Sequence, residues 1–278
     1  MTSTSAARLL VPLYVHPVVD PAAWQAGAAA GPSAVRAVVL NIANGPGEAP
    51  DPAFEEAAAL LRTAGIALLG YVDTDYGRRP HATVVAELLS YRQWYEVDGA
   101  YFDQAASHPA ALAHYRRLAT AARAAGCATI VLGHGTHPEP EYAEPELSDV
   151  LVTFEGSWAD YDQLVLPLWT GHHPAERFCH LVYEVPAARS ATAGALIASR
   201  RAGVGCAVPS GGSNPWDGLP FGLDPRPPGP GRVTPDDAPA GAGAAATDRP
   251  APPKSVRPAA TGVPATPLPQ PTHLECPL

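Results

Sequence analysis

Eight short apolar runs recur along residues 9–210, and that recurrence limits the chain to very few folds. They are LLVPLYV (9–15), VRAVVLNI (35–42), IALLGYV (66–72), DGAYFD (98–103), ATIVLG (128–133), DVLVTFE (149–155), FCHLVYEV (178–185) and GCAVPS (205–210). β-Branched and aromatic residues are frequent in them, as in strands. Ala/Leu/Arg-rich stretches with helical character lie between several of the runs, at 51–65, 81–96, 108–126 and 188–203. Where such a stretch closes on glycine, as at Gly65 and Gly126, it ends as helices commonly end. Strand–helix alternation calls for a parallel sheet with crossover connections. Eight strands in this length predict a small (β/α)8 barrel of the TIM type. An open doubly wound sheet is the alternative, but neither GxGxxG nor a P-loop lysine motif supports a nucleotide-binding version of it.

The expected organisation is a flexible N-terminus (1–8), a barrel (9–220) and a Pro/Ala-rich tail (221–278). The tail holds 15 of the chain's 33 prolines and one aromatic residue, Phe221. Such a segment buries too little apolar surface to offset its ordering entropy, so it reads as disordered. The barrel segment lies in a chain that is 46% hydrophobic and 16% charged, enough for a sizeable core. A net charge of −9 lacks the basic footprint of nucleic-acid binding and suits an anionic membrane surface poorly. No run approaches the roughly 18 apolar residues of a membrane helix, and the N-terminus is a poor signal peptide. The expectation is a monomer that binds neither nucleic acid nor membrane, cytoplasmic unless its start has been trimmed. The cysteines at 127, 179, 206 and 276 are widely spaced with no CxxC, which predicts free thiols rather than a disulfide framework or zinc site.

Strand parity sorts the polar residues. In a barrel the outward set packs on helices, and the inward set near the C-terminal ends faces the mouth, where active sites lie. With the apolar set outward, strand one presents Tyr14 and His16 inward, strand two Asn41, strand three Tyr71 and Asp73, strand four Tyr101 and Asp103, and strand six Thr153 and Glu155. The corresponding outward sets include Val38 and Leu40, Gly70 and Val72, Ala100 and Phe102, and Val152 and Phe154. Five strands thus bring polar groups to one mouth, three of them with carboxylates. Carboxylates among aromatic side chains suggest glycoside chemistry, in which one acid protonates the leaving oxygen and the other attacks the anomeric carbon or activates water. Tyr14, Tyr71, Tyr76, Tyr101, Trp158 and Trp169 are candidate faces for sugar rings.

Six segments in order, LLVPLYVHP, NIANGPG, GYVDTDYGRR, VDGAYFDQ, GHGTHPEPEY and LVTFEGSWADY, carry a resemblance to spherulation-specific family 4, the spherulin-4-like proteins. The resemblance covers about residues 9–215. It implies a (β/α)8-like barrel. It also implies endo-acting glycoside hydrolysis of an α-linked polysaccharide containing N-acetylgalactosamine, such as galactosaminogalactan, as in fungal members. Those members carry an Asp-Glu pair at the end of strand four and a Glu at the end of strand six. By position these fall on Asp103, Gln104 and Glu155, so an amide stands in the place of one acid.

The expected catalytic residues are therefore Asp103 and Glu155, with Glu155 the general acid and Asp103 the base, nucleophile or oxocarbenium stabiliser. Substrate assistance by an acetamido group stays open. His16, Asn41, Tyr71, Asp73, Tyr76, Tyr101, Gln104 and Trp158 are the expected sugar-binding residues. No metal or cofactor is expected: His134, His137, His172 and His173 lie in Pro/Gly loops without HExxH spacing and read as solvated. Asn44-Gly45-Pro46-Gly47 reads as a turn after strand two. Two rival readings remain. One is a non-catalytic carbohydrate-binding barrel that lost its acid at Gln104. The other is a metal-dependent hydrolase using His16, Asp103 and loop histidines.

Overall fold

The computed structural model describes residues 7–223. The tail read at 221–278 lies outside them except for Phe221–Leu223. Eight parallel strands close in sequence order into one barrel: β1 (Arg8–Pro12), β2 (Val35–Leu40), β3 (Ala67–Asp73), β4 (Gly99–Asp103), β5 (Thr129–Gly133), β6 (Val150–Ser157), β7 (Phe178–Tyr183) and β8 (Val204–Ala207). Closure pairs β8 back to β1 through Arg8–Val204 and Leu9–Gly205.

The crossover helices are α1 (Pro21–Ala34), α2 (Pro52–Thr63), α3 (His81–Tyr95), α4 (Leu112–Ala124), a five-residue α5 (Trp158–Asp162) and α6 (Ser190–Ser199). Asp51 caps α2, its carboxylate accepting from Ala53 N–H at 2.8 Å, with Pro52 at the first helical position. Gly65 and Gly126 follow α2 and α4 with φ of 77° and 86°, left-handed positions that glycine adopts without strain. The helical ring is incomplete. Between β5 and β6 the described chain forms only a 3-10 turn, Pro140–Ala143. Pro138, Pro140 and Pro145 in that segment each remove a backbone donor a helix would need. Helix α1 was not among the expected helices; Gly31, with φ 70°, and Pro32 break it near its end.

Helix packing identifies the outward face. A methyl at Gly70 of β3 would lie 2.6 Å from Tyr91 of α3, and one at Gly205 of β8 would lie 2.8 Å from Ile197 of α6. The inward face is filled by side chains such as Leu10, Leu69, Val131 and Val150, all but enclosed by the barrel wall. At the N-terminal end of the barrel they leave a cavity of about 180 Å³, rimmed by Arg8 and Arg36 and without a carboxylate. No described helix is long and apolar enough to cross a membrane.

Candidate active site

Register builds the site. Tyr71 pairs with Tyr101 and Asp73 with Asp103 across β3 and β4, so each pair shares one face of the sheet. The Tyr71 and Tyr101 rings stack at 6.2 Å and 16°, and Tyr14 meets Tyr71 edge-on at 5.8 Å. Tyr71 O–H donates to Asp103 Oδ2 at 2.9 Å. Room for that carboxylate comes from β5: a methyl at Gly133 would lie 2.7 Å from Asp103 Oδ1 and 3.1 Å from the Tyr101 hydroxyl.

Glu155 reaches the same space through an irregularity in β6. Val150 pairs with Val131 and Val152 with Gly133, which puts Val152 inward. The register to β7 then shifts between Val152 and Phe154, leaving Thr153 as the extra residue. This bulge corrects the simple alternation expected for strand six: Val152 faces in, not out. Beyond it Phe154 packs outward on Tyr161 at 4.8 Å, and Glu155 pairs with inward Leu181.

Both carboxyls hold protons more tightly than usual. Burial pushes Asp103 up to about 6, with Asp73 adding to the rise, while the Tyr71 hydroxyl and the Gln104 N–H oppose it. Burial also pushes Glu155 up to about 7, the charge of Asp103 adds to this, and the Trp216 N–H opposes it. By surface area Glu155 is exposed, because the mouth opens above it. By surrounding atoms it is enclosed, because the barrel wall rings it. The charge of Asp103 raises Glu155 at either degree of enclosure.

Trp216 was missed by sequence reasoning. Its indole N–H donates to Glu155 Oε1 at 3.1 Å. The segment carrying it is sewn to the end of β1. Trp216 O accepts from Tyr14 N–H at 2.8 Å, Asn214 Nδ2 donates to Tyr14 O at 3.2 Å, and Asn214 Oδ1 accepts from Trp216 N–H. The available signal was position: a tryptophan in a Pro/Gly loop directly after the last strand must lie near the mouth.

The other expected residues divide. Asp73 turns its Oδ1 to Asp75 N–H at 2.7 Å while its charge reaches Asp103. Tyr76 is 42% exposed in a left-handed conformation (φ 53°), and its N–H donates to Gln104 O at 2.7 Å. Gln104 itself has φ 48° and a half-buried side chain with no hydrogen bond among the described residues. Buried Thr74 holds this strained junction, donating to Asp103 O and Gln104 O and contacting the Tyr115 hydroxyl at 2.8 Å. His16 is engaged by its own loop and by the cap of α2, and Asn41 by the turn that follows it. His16 Nδ1 accepts from Val18 N–H, which leaves Nε2–H to donate to Asp51 at 3.1 Å. Asn41 Oδ1 accepts from Gly45 N–H and closes the Asn44–Gly47 turn. Trp158 packs on Tyr161 at 6.2 Å.

The histidine expectation needs correction at His134. It is 8% exposed, with Nδ1 3.2 Å from Ala105 O, and burial drives it down to about 3, so it is neutral. His137 is half-buried and also lowered by burial. Among the described residues no group of three or more His, Cys, Asp or Glu is arranged to hold a metal ion. Cys127, Cys179 and Cys206 are buried free thiols.

Spherulin-4 of Physarum polycephalum is 31% identical over 158 residues, covering 55% of this chain and 46% of that protein, so the match spans less than half of its length. The crystal structure of Aspergillus clavatus Sph3 in complex with GalNAc superposes with a TM-score of 0.65 at 23% identity, over 77% of this chain and 93% of that one. The sequence model of spherulation-specific family 4 matches residues 8–208, from the start of β1 to just past β8. The chain belongs to spherulation-specific family 4.

Proposed function

We propose that the barrel mouth hydrolyses a glycosidic bond in an amino-sugar polysaccharide, with Asp103 and Glu155 as its two acids. One observation carries this reading: two carboxyls share one mouth, each raised, with Asp103 held by the Tyr71 hydroxyl and the Gln104 N–H and Glu155 by the Trp216 indole. Such a pair retains one proton near neutrality. Asp103 has two donors that favour its charged form and Glu155 has one, so Glu155 keeps the proton and delivers it to the leaving oxygen. Asp103, held by the Tyr71 hydroxyl and the Gln104 N–H, stays ionised and faces the positive charge that develops at the anomeric carbon. Tyr14, Tyr71 and Tyr101 form an aromatic floor, and Asp73 and Tyr76 are placed to meet hydroxyls. The Sph3 complex with GalNAc supports N-acetylgalactosamine as the sugar to try first.

Replacing Glu155 by Gln should reduce release of new reducing ends from α-linked N-acetylgalactosamine polysaccharide by about two to four orders of magnitude and leave oligosaccharide binding intact. Full turnover by Glu155→Gln would refute the assignment. A second reading rests on Gln104: a barrel whose second acid is an amide binds sugar without cleaving it. In that case Glu155→Gln changes nothing measurable in turnover, because there is none to lose.

A further inference from the structure

Beside the mouth runs an open groove of about 620 Å³ that the two-acid reading does not use. Its walls come from the loops after β4, β5 and β6, the strands that carry Asp103, the Gly133 gap and Glu155. Ser107 and His108 line one side, His137 and Glu139 the next, and Pro167 and Trp169 the third. The groove is joined to the acid by backbone bonds. Glu155 N–H donates to Gly135 O at 3.1 Å, and Gly135 N–H donates to Val152 O at 3.0 Å. Two residues after Gly135 the same loop presents His137 to the groove.

The walls are braced. Glu139 N–H donates to Ser107 O at 3.0 Å, and the Tyr142 hydroxyl donates to His108 O at 2.9 Å, which ties the first two loops together. Trp169 is fixed edge-to-face by His137 at 6.3 Å, His173 at 5.9 Å and Phe178 at 5.6 Å. Leu168, between Pro167 and Trp169 in sequence, is 93% exposed. A rigid indole, a neutral imidazole and nearby hydroxyl and carboxylate groups match the two sides of a pyranose, its apolar C–H face and its ring of hydroxyls. The groove is open rather than closed, which suits a chain that continues past it.

We infer that this groove binds further units of the polysaccharide chain whose scissile bond lies at the mouth, with Trp169 as the stacking platform and His137 as its brace and hydrogen-bonding partner. The inference rests on the two-acid reading of the mouth and adds where the rest of the polymer lies. It makes chain length a determinant of affinity.

The test uses the full chain carrying Glu155→Gln, with calorimetric titration of an α-linked N-acetylgalactosamine disaccharide and the matching hexasaccharide. The hexasaccharide should bind about tenfold or more tightly than the disaccharide. Adding Trp169→Ala should bring the hexasaccharide down to the disaccharide's affinity and leave the disaccharide unchanged, and Trp169→Phe should restore most of the difference. His137→Ala, which leaves the Trp169–Phe178 packing in place, should weaken the hexasaccharide selectively as well. Equal affinity for both lengths, or equal effects of Trp169→Ala and His137→Ala on both, would overturn the groove while leaving the mouth reading intact. Binding of neither sugar would overturn the mouth reading and the groove with it.

Discussion

At the scale of single residues, two side-chain donors, the Tyr71 hydroxyl and the Trp216 indole, bias the two acids. A hydrogen bond to a carboxylate favours its charged form. Tyr71→Phe removes one from Asp103, so Asp103 should hold its proton to higher pH and the acid limb of the kcat/KM profile should move up. Trp216→Phe removes one from Glu155, so the alkaline limb should move up. Each shift should reach up to about one pH unit. A purely structural role for either residue would lower the whole profile without moving a limb. A melting experiment carries the same sign. The folded value of Glu155 lies above its ordinary value of 4.5, so the folded state binds that proton more tightly than the unfolded chain does. The resulting penalty is fully present above about 7 and absent well below 4.5. Glu155→Gln should therefore melt above the natural protein at about pH 8. That gap should close as the pH falls towards 4.5, the ordinary value.

At the scale of elements, glycines of the two strands that flank β4 separate folding from function. Gly70 of β3 faces outward under Tyr91, where a methyl would lie 2.6 Å from the ring. Gly70→Ala should overpack that contact and cost about 1–3 kcal/mol, lowering Tm by several degrees with little change in kcat per folded molecule. Gly133 of β5 faces inward against Asp103. Gly133→Ala should displace the carboxylate and reduce kcat at least about tenfold with a smaller effect on Tm. The strand tips were legible in the sequence because parity is strict wherever the backbone is regular: Tyr71, Asp73, Tyr101 and Asp103 lie where alternation puts them, and Glu155 faces in as expected only because of the bulge before it. Parity failed at Val152, where one extra residue in β6 resets the count and nothing in VLVTFEG marks it. Helix α1 escaped because its Ala- and Gly-rich sequence has little apolar periodicity. His134 read as solvated because GHGTHPEP looks like a loop; its burial comes from Tyr142, whose ring lies 4.8 Å away, and from the turn after β4.

At the scale of the molecule, the barrel is closed by strands but its mouth is completed by the segment after β8. Trp216, Leu219 and Leu223 are 5%, 4% and 8% exposed, and Phe221 N–H donates to Ala207 O at 3.1 Å. A chain ending after Leu223 should keep the melting temperature and activity of the full chain. One ending after Gly212 should lose both, because Asn214 and Trp216 no longer hold Tyr14 and Glu155. The eight-strand count made the barrel legible from the start, and the expected limit at residue 220 takes in Trp216 and Leu219, but no local pattern marks their place at the mouth. What the closing segment contributes is a long-range contact, 61 residues in sequence from Trp216 to Glu155.

The central claim is that Asp103 and Glu155 suffice for cleavage although Gln104 stands where relatives are expected to carry an acid. The most direct measurement is release of reducing ends from α-linked N-acetylgalactosamine polysaccharide by the natural sequence beside Gln104→Glu. The account predicts turnover by the natural sequence at near-neutral pH, changed only modestly by Gln104→Glu. No turnover by the natural sequence, with activity appearing only in Gln104→Glu, would contradict it and identify the barrel as a carbohydrate binder.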